Sequence, residues 1–232
     1  MTQGKEFITI PGFERIPFIY HGFGTSAWKE EDFRQGEEWT GYRLIHLKQL
    51  HSDIIHTILD VPDTILRGDA LITALPGLFL IIKSADCVPV LLVDEKKRVI
   101  AAVHCGWKGT LLRLLDKVVS GMKTQFGSVP ADILAGFGPS IGATCYDVGE
   151  EVRNAFRENG FPDALFLPVP GRPLKYFFDL RKANILQLRR QGLRDENIFS
   201  VDICPHCDCR FPSFRRDRTN TGRMLSFIAL SR

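Results

Sequence analysis

Apolar residues along this chain fall into short, β-branched runs separated by stretches of helical periodicity. Residues 78–82, 88–93 and 99–103 each have strand length, and the charged residues 94–98 fit a hairpin joining the second run to the third. Residues 133–137, 198–203 and 225–230 read as further strands. Leu111, Leu112, Leu115, Val118, Val119 and Met122 recur at three- and four-residue steps, which predicts a helix after Gly109 that ends near Gly127. Residues 148–158 predict a shorter helix stopping at Asn159-Gly160. Asp179 is a good N-cap for a helix through Ala183, Leu186 and Leu188 that ends at Gly192. Hairpin-joined strands mixed with helical crossovers predict an α+β (mixed α/β) fold rather than a purely parallel doubly wound sheet. With no repeat or long Pro/Ser linker, residues 1–232 read as a single domain of mixed β-sheets flanked by helices.

Composition narrows the class without naming a chemistry. At 44% hydrophobic and 25% charged residues the chain has globular proportions, and a formal charge of +3 gives no argument for nucleic acid. The start, Met1-Thr-Gln-Gly-Lys-Glu-Phe7, has no apolar signal core, and no stretch approaches the ~20 apolar residues of a membrane span, so no membrane partner is expected. A cytoplasmic location follows as the expectation, and in that compartment six cysteines suggest metal, catalysis or burial before disulfides.

Three segments place a metal-ligand side chain at the end of an apolar run. They are Lys48-Gln-Leu-His51, Ser84-Ala-Asp-Cys87 after residues 78–82, and Ala101-Ala-Val-His104 after Val99. If the runs before Cys87 and His104 are sheet neighbours, the two ligands emerge side by side. Two imidazoles and a thiolate suit Zn²⁺ and leave a fourth position open, the catalytic rather than the structural pattern. Zinc held this way lowers the pKa of its water to about 7, and Asp86 and Ser84 flank the thiolate as candidate proton carriers or supporting groups. The same residues also fit a buried cysteine and two hydrogen-bonded histidines, because no CxxC or HExxH signature joins them.

Other features admit two readings each. The basic run Arg215-Arg216-Asp217-Arg218, with Arg223, offers phosphate or nucleoside contacts, or is a solvated turn with an internal Arg–Asp pair. Gly136-Phe-Gly138-Pro-Ser-Ile-Gly142 either wraps a ligand with backbone N–H groups or makes a tight crossover; it is no nucleotide fingerprint. Cys145 either lines a pocket or is buried, with burial the simpler role. Cys204-Pro-His206-Cys207-Asp-Cys209 contains one CxxC without a distant partner pair, so it is incomplete as a structural zinc site, and a thioredoxin-like role would need another context.

The three ligand segments belong to a longer series of motifs. It continues with Gly68-Asp-Ala-Leu-Ile-Thr73, Ser84-Ala-Asp-Cys-Val-Pro-Val-Leu-Leu92, Ala101-Ala-Val-His-Cys-Gly-Trp-Lys-Gly109, Gly138-Pro-Ser-Ile-Gly-Ala-Thr-Cys-Tyr-Asp-Val-Gly149, Asp179-Leu-Arg-Lys-Ala-Asn184 and Phe214-Arg-Arg-Asp-Arg-Thr-Asn-Thr-Gly-Arg223. From Gln49 to the C-terminus this series resembles the bacterial laccase-domain proteins, also described as multicopper polyphenol oxidase-like and as purine nucleoside phosphorylases. The resemblance implies a metal on His51, Cys87 and His104: zinc, with copper possible in vitro because Cu²⁺ outcompetes zinc in most N/S sites. It also implies phosphorolysis of adenosine, inosine and methylthioadenosine, with adenosine deamination in the same site.

Within that reading Asp86 manages protons, and Lys108 is the natural phosphate partner beside the N–H groups of the helix opened by Gly109 and Thr110. Arg215, Arg216 and Cys145 complete the expected substrate and phosphate contacts. Purine nucleosides and phosphate are thus the implied small-molecule partners. The chain departs from the family in three places. His21-Gly-Phe-Gly-Thr-Ser-Ala-Trp28 stands where a Thr-Arg-x-Gly-Gly motif is usual, Lys108 replaces an arginine, and Cys105 adds a thiol. If the missing arginine normally holds phosphate, phosphorolysis is weakened. Three other functions compete: a copper polyphenol oxidase, a cysteine or metal hydrolase editing cell-wall precursors, and a metal-dependent binding module. The oxidase needs more ligands than six histidines offer, since only His51 and His104 lie in the metal motifs.

Overall fold

In the computed structural model, which describes residues 7–34, 36–218 and 222–232, two six-stranded sheets pack face to face. Residues 1–6, where no signal core is expected, and residues 219–221 of the late motif lie outside the described residues. The first sheet runs in the order Phe7–Ile8, Ile19–Gly24, Met224–Leu230, Leu78–Ser84, Arg43–Lys48, Leu66–Arg67. The second runs Ile198–Ser200, Ile133–Phe137, Val88–Asp94, Val99–Cys105, Ala70–Thr73, Ile55–Ile58. Both mix parallel and antiparallel pairs, as the α+β expectation requires.

Side-chain alternation explains the layers. Along Leu78–Ser84, Leu80 and Ile82 face the second sheet, while Phe79 and Ile81 join an aromatic cluster with Trp28, Phe33, Trp39 and Phe227. Along Val88–Asp94, Leu91 and Val93 meet the first sheet; Val88, Val90 and Leu92 meet the helices on the far side. Both faces of these central strands are therefore covered, which is why they read as continuous apolar runs. No helix among the described residues is long and apolar enough to cross a membrane.

The expected hairpin is present, in the antiparallel register Val88↔Cys105 to Asp94↔Val99. Asp94 closes its turn by accepting from the backbone N–H groups of Lys96 and Lys97. Three expectations shift. The helix predicted from residue 111 is broken. A short helix Trp107–Leu111 ends, Arg113 takes a left-handed φ of 64°, and the long helix runs Leu114–Phe126 before Gly127 caps it. Leu112 falls in the break and is exposed, so it is not part of the apolar stripe. Val148 belongs to a strand, Asp147–Gly149, and the next helix starts at Glu150. The late strand is only Ile198–Ser200. The Asp179 cap holds: its carboxylate accepts from the Lys182 N–H at the start of Leu180–Arg190.

Candidate metal centre

His51, Cys87 and His104 converge although 53 residues separate the first from the last: one ring nitrogen of each histidine and the cysteine sulfur lie within 4.8 Å of one another. The route to that convergence differs from the sequence expectation. The strand Leu78–Ser84, which leads into Cys87, lies in the first sheet, and Val99–Cys105, which carries His104, lies in the second. Between Ser84 and Val88 the chain crosses from one sheet to the other, with Asp86 at a φ of 82°. Cys87 therefore reaches His104 through the hairpin that follows it, where Pro89 pairs with His104.

His51 arrives on a loop shaped by a buried carboxylate. Asp69 is fully buried and accepts from the N–H groups of Leu50, His51 and Ser52 and from the Ser52 hydroxyl. His51 itself has a φ of 57°, a left-handed conformation uncommon for a residue with a Cβ and characteristic of constrained functional sites. Gln49 fastens the same loop to the first sheet by donating to the Lys83 carbonyl and accepting from the Lys83 N–H. Asp69 also takes the Nδ1 of His104 at 2.9 Å, which leaves Nε2 of that ring for a metal. Glycine is required at position 106 because a Cβ there would come within 2.9 Å of the His51 ring and 3.3 Å of the Cys87 sulfur.

The electrostatics favour a charged pair at Cys87 and His104. Burial by itself pushes the Cys87 thiol up, but the charge and hydrogen bond of His104 and the hydrogen bond of His51 reverse this and bring it down to about 6. Burial lowers His104, yet Cys87 and Asp69 together push it up to about 9. For Asp69, hydrogen bonds from His104 and Ser52 outweigh the upward push of burial and hold it at about 2. Without metal, Cys87 and His104 therefore form a thiolate–imidazolium pair at neutral pH. Alkylation of Cys87 in metal-stripped protein, followed by peptide mass mapping, will rise with pH through a midpoint near 6. Zinc will suppress it. A midpoint in the ordinary thiol range, or alkylation indifferent to zinc, would contradict this arrangement and point to a free nucleophile.

The three ligands lie in a cavity of about 850 Å³. Lys83, Lys175, Arg215, Arg218 and Arg223 contribute its cationic lining, and Trp107, Tyr146 and Phe214 its aromatic surfaces. Asp86 also lines it. Its Oδ2 accepts from the Arg215 N–H at 2.6 Å, while Oδ1 is buried without a hydrogen-bond partner among the described residues. The Arg215 guanidinium is steered by Asp147, which accepts through Oδ1 and its carbonyl.

Three residues expected at the site lie elsewhere. Lys108 is exposed and outside the cavity lining, its ammonium 5.7 Å from the Trp107 ring centre. Arg216 is spent on Asp217 and on the carbonyls of Pro205 and Phe211. The Cys145 thiol sits 3.4 Å from Cys207 and outside the lining. Gly109 and Thr110 form no anion site either. Both are buried inside the short helix, where Thr110 bonds Gly106 and Asn184, so Asn184 of the Asp179–Asn184 motif docks one helix on another. The glycine-rich segment is a crossover. The N–H groups of Gly138, Ser140, Ile141 and Gly142 are taken by Pro89, Ile203, Asp86 and Cys204. Cys105 alternates away from His104 into the core, where burial pushes its thiol well up.

Sequence reasoning missed Asp69, Gln49, Lys83, Tyr146 and Lys175. Asp69 stood within the quoted Gly68–Thr73 motif, and a lone acid between two apolar strands was the available signal.

The sequence profile of the multi-copper polyphenol oxidoreductase laccase family matches residues 30–231. A purine nucleoside phosphorylase of Clostridium acetobutylicum is 38% identical over 201 residues, 85% of this chain and 82% of that protein. An adenosine deaminase from an unknown prokaryotic organism is 37% identical over 175 residues, 73% of this chain and 65% of that one. The crystal structure of the Bacillus licheniformis hypothetical protein YfiH superposes with a TM-score of 0.89 at 29% identity, covering 100% of this chain and 98% of that one.

Proposed function

Because the chain belongs to the family of the multi-copper polyphenol oxidoreductase laccase profile, we propose that it is a zinc-dependent enzyme that cleaves purine nucleosides by phosphorolysis and deaminates adenosine in the same cavity. The carrying observation is one cavity that joins the His51–Cys87–His104 cluster to five cationic side chains and three aromatic ones. The names of the relatives in Clostridium and in the unknown prokaryote point the same way.

The residues fit a zinc ion: two imidazoles and a thiolate, with Asp69 fixing the His104 ring. When bound, zinc supplies a Lewis acid within the cavity. The cations lining the cavity bind phosphate, with the expected Arg215 joined by Arg218, Arg223 and Lys175 rather than by Lys108 and Arg216. Phosphate oxygen then bonds to the ribose anomeric carbon as the bond to the purine nitrogen breaks, and the leaving base takes a proton. Asp86 Oδ1, buried and unpartnered, carries that proton, while the Arg215 N–H on Oδ2 fixes the carboxyl. Trp107, Tyr146 and Phe214 offer flat apolar surface to the base and exclude water from it. All six cysteines are free, which suits a thiolate site working in the cytoplasm.

The oxidase alternative is the weaker one on the disposition of histidines. His21 accepts from the Ile10 N–H, His46 lies beside Glu30, His56 meets the Arg67 carbonyl and His206 belongs to a separate cluster with Cys145 and Cys207, so of the six histidines only His51 and His104 stand at this centre. Chromatography of bases released from inosine and adenosine, with and without phosphate, tests the proposal. Release of hypoxanthine and adenine only with phosphate is expected. Equal release without phosphate would mean hydrolysis, and no release at all would sink the purine assignment.

A further inference from the structure

A second cluster of soft ligands lies outside the cavity, at the meeting of two segments far apart in sequence. Cys145 ends the turn Ala143–Cys145, and Cys204, His206 and Cys207 belong to the later turn Cys204-Pro-His-Cys207. The sulfurs of Cys145 and Cys207 and a ring nitrogen of His206 lie within 4.8 Å of one another. Cys204, three residues before Cys207, faces the same crossover, its sulfur accepting from the Gly142 N–H at 3.1 Å. Cys145 is thus the distant partner that the lone CxxC lacks in sequence.

We propose that Cys145, Cys204, His206 and Cys207 form a second metal site, closed and structural in type, that takes a zinc ion. Three thiolates and one imidazole make a complete tetrahedral set, supplied here by the turn Cys204-Pro-His-Cys207 and one remote cysteine. The Cys145–Cys207 separation of 3.4 Å is far too long for a disulfide. It lies close to the ~3.8 Å edge that ~2.3 Å Zn–S bonds make at tetrahedral angles.

The Gly142 N–H donates to the Cys204 Sγ at 3.1 Å, which fixes that sulfur on the side of the crossover that carries Cys145. A redox pair formed by Cys204 and Cys207 would have no use for His206 or Cys145 in contact. Cys209, two residues on, is exposed and stands outside the cluster.

The site's position gives it a task. It ties the crossover of residues 138–145, whose Ile141 N–H holds the Asp86 carbonyl, to the loop that precedes Phe214–Asp217 and so delivers Arg215 to the cavity. A metal here staples the wall of the cavity together without touching its contents.

Cobalt(II) reads the site directly, because thiolate ligation gives an intense near-ultraviolet charge-transfer band. In the reduced, metal-stripped full chain carrying Cys87→Ala, which removes the first site's thiolate, cobalt titration should saturate that band at about one ion per chain. Adding Cys145→Ser or Cys207→Ser should remove most of it; adding Cys209→Ser should leave it unchanged. No thiolate band in the Cys87→Ala protein would overturn the proposal, as would a band that survives loss of both Cys145 and Cys207. A measurement on the unmutated chain guards against misfolded variants. Zinc should protect Cys145, Cys204 and Cys207 from alkylation, mapped by mass spectrometry separately from Cys87. Protection at Cys87 alone would refute the second site and leave the first standing. Conversion of Cys204 and Cys207 to a disulfide that excludes metal in reduced buffer would refute it as well.

Discussion

Cys87→Ala will abolish metal binding in the cavity and lower phosphorolysis and deamination together by at least about a thousandfold, or ~4 kcal/mol in the barrier. The variant deletes the one anionic ligand of the three and leaves two imidazoles, one of them lying in an exposed loop residue, to hold a dication, and that sets the size. The fold should survive, because Cys87 lies at the sheet crossing and adds little to either core cluster. Metal content and turnover of the purified variant check this, with circular dichroism confirming the fold. Retention of either activity at more than a few per cent would show that the cavity works without this site.

Asp69→Asn should damage stability as well as metal affinity. Asp69 accepts from five donors: three backbone N–H groups, the Ser52 hydroxyl and His104 Nδ1. Both carboxylate oxygens take backbone N–H groups, so in either orientation the asparagine amide turns an N–H against at least one group that can only donate. A buried donor without its acceptor costs about 1–3 kcal/mol, and removing one partner of a buried charge pair about 3–5. We expect a loss of about 3 kcal/mol in unfolding free energy and a ten- to hundredfold loss in zinc affinity, the usual effect of removing the group that orients a ligating histidine.

The pH dependence of the metal-free proteins separates the charge from the shape. Asp69 is held at about 2, below its unfolded value, so its contribution is present above the unfolded pKa and fades as pH falls toward 2. His104 is held at about 9, so its share is complete below its unfolded value and fades as pH rises through 9. The stability gap between wild type and Asp69→Asn should accordingly narrow at both ends of the pH range. Denaturant titrations from acid to alkaline pH would show it, and a gap independent of pH would reduce Asp69 to a steric filler.

Much of this architecture was legible in the amino-acid sequence. Central strands covered on both faces leave unbroken apolar runs, and Asp94 to Arg98 announces the hairpin that sets Cys87 beside His104. The three candidate ligands could be picked out because each follows a run of apolar residues. What escaped was whatever depends on a single backbone conformation or on where a long side chain is anchored. Arg113 in the left-handed region splits a helix whose periodicity looks continuous, and the turn at Asp86 sends the chain into the second sheet, where run order suggests a neighbour in the first. Lys108 and Arg216 have the right chemistry for phosphate, yet the first points to solvent over Trp107 and the second is consumed by Asp217 and two carbonyls. Lys175, which lines the cavity, lies in a strand whose surroundings only the tertiary fold defines. Cys145 shows the same limit from the other side: its partner thiols lie 59 residues or more away, so the cluster exists only in three dimensions.

The central claim is that the cavity acts on purine nucleosides through the metal held by His51, Cys87 and His104. Its most direct test is to return zinc stepwise to the metal-stripped chain and follow two signals in the same samples: phosphate-dependent release of hypoxanthine from inosine, and protection of Cys87 from alkylation. The account predicts that the two rise together and reach their plateaus at the same zinc concentration. Full base release from stripped protein whose Cys87 is still open to alkylation would contradict it.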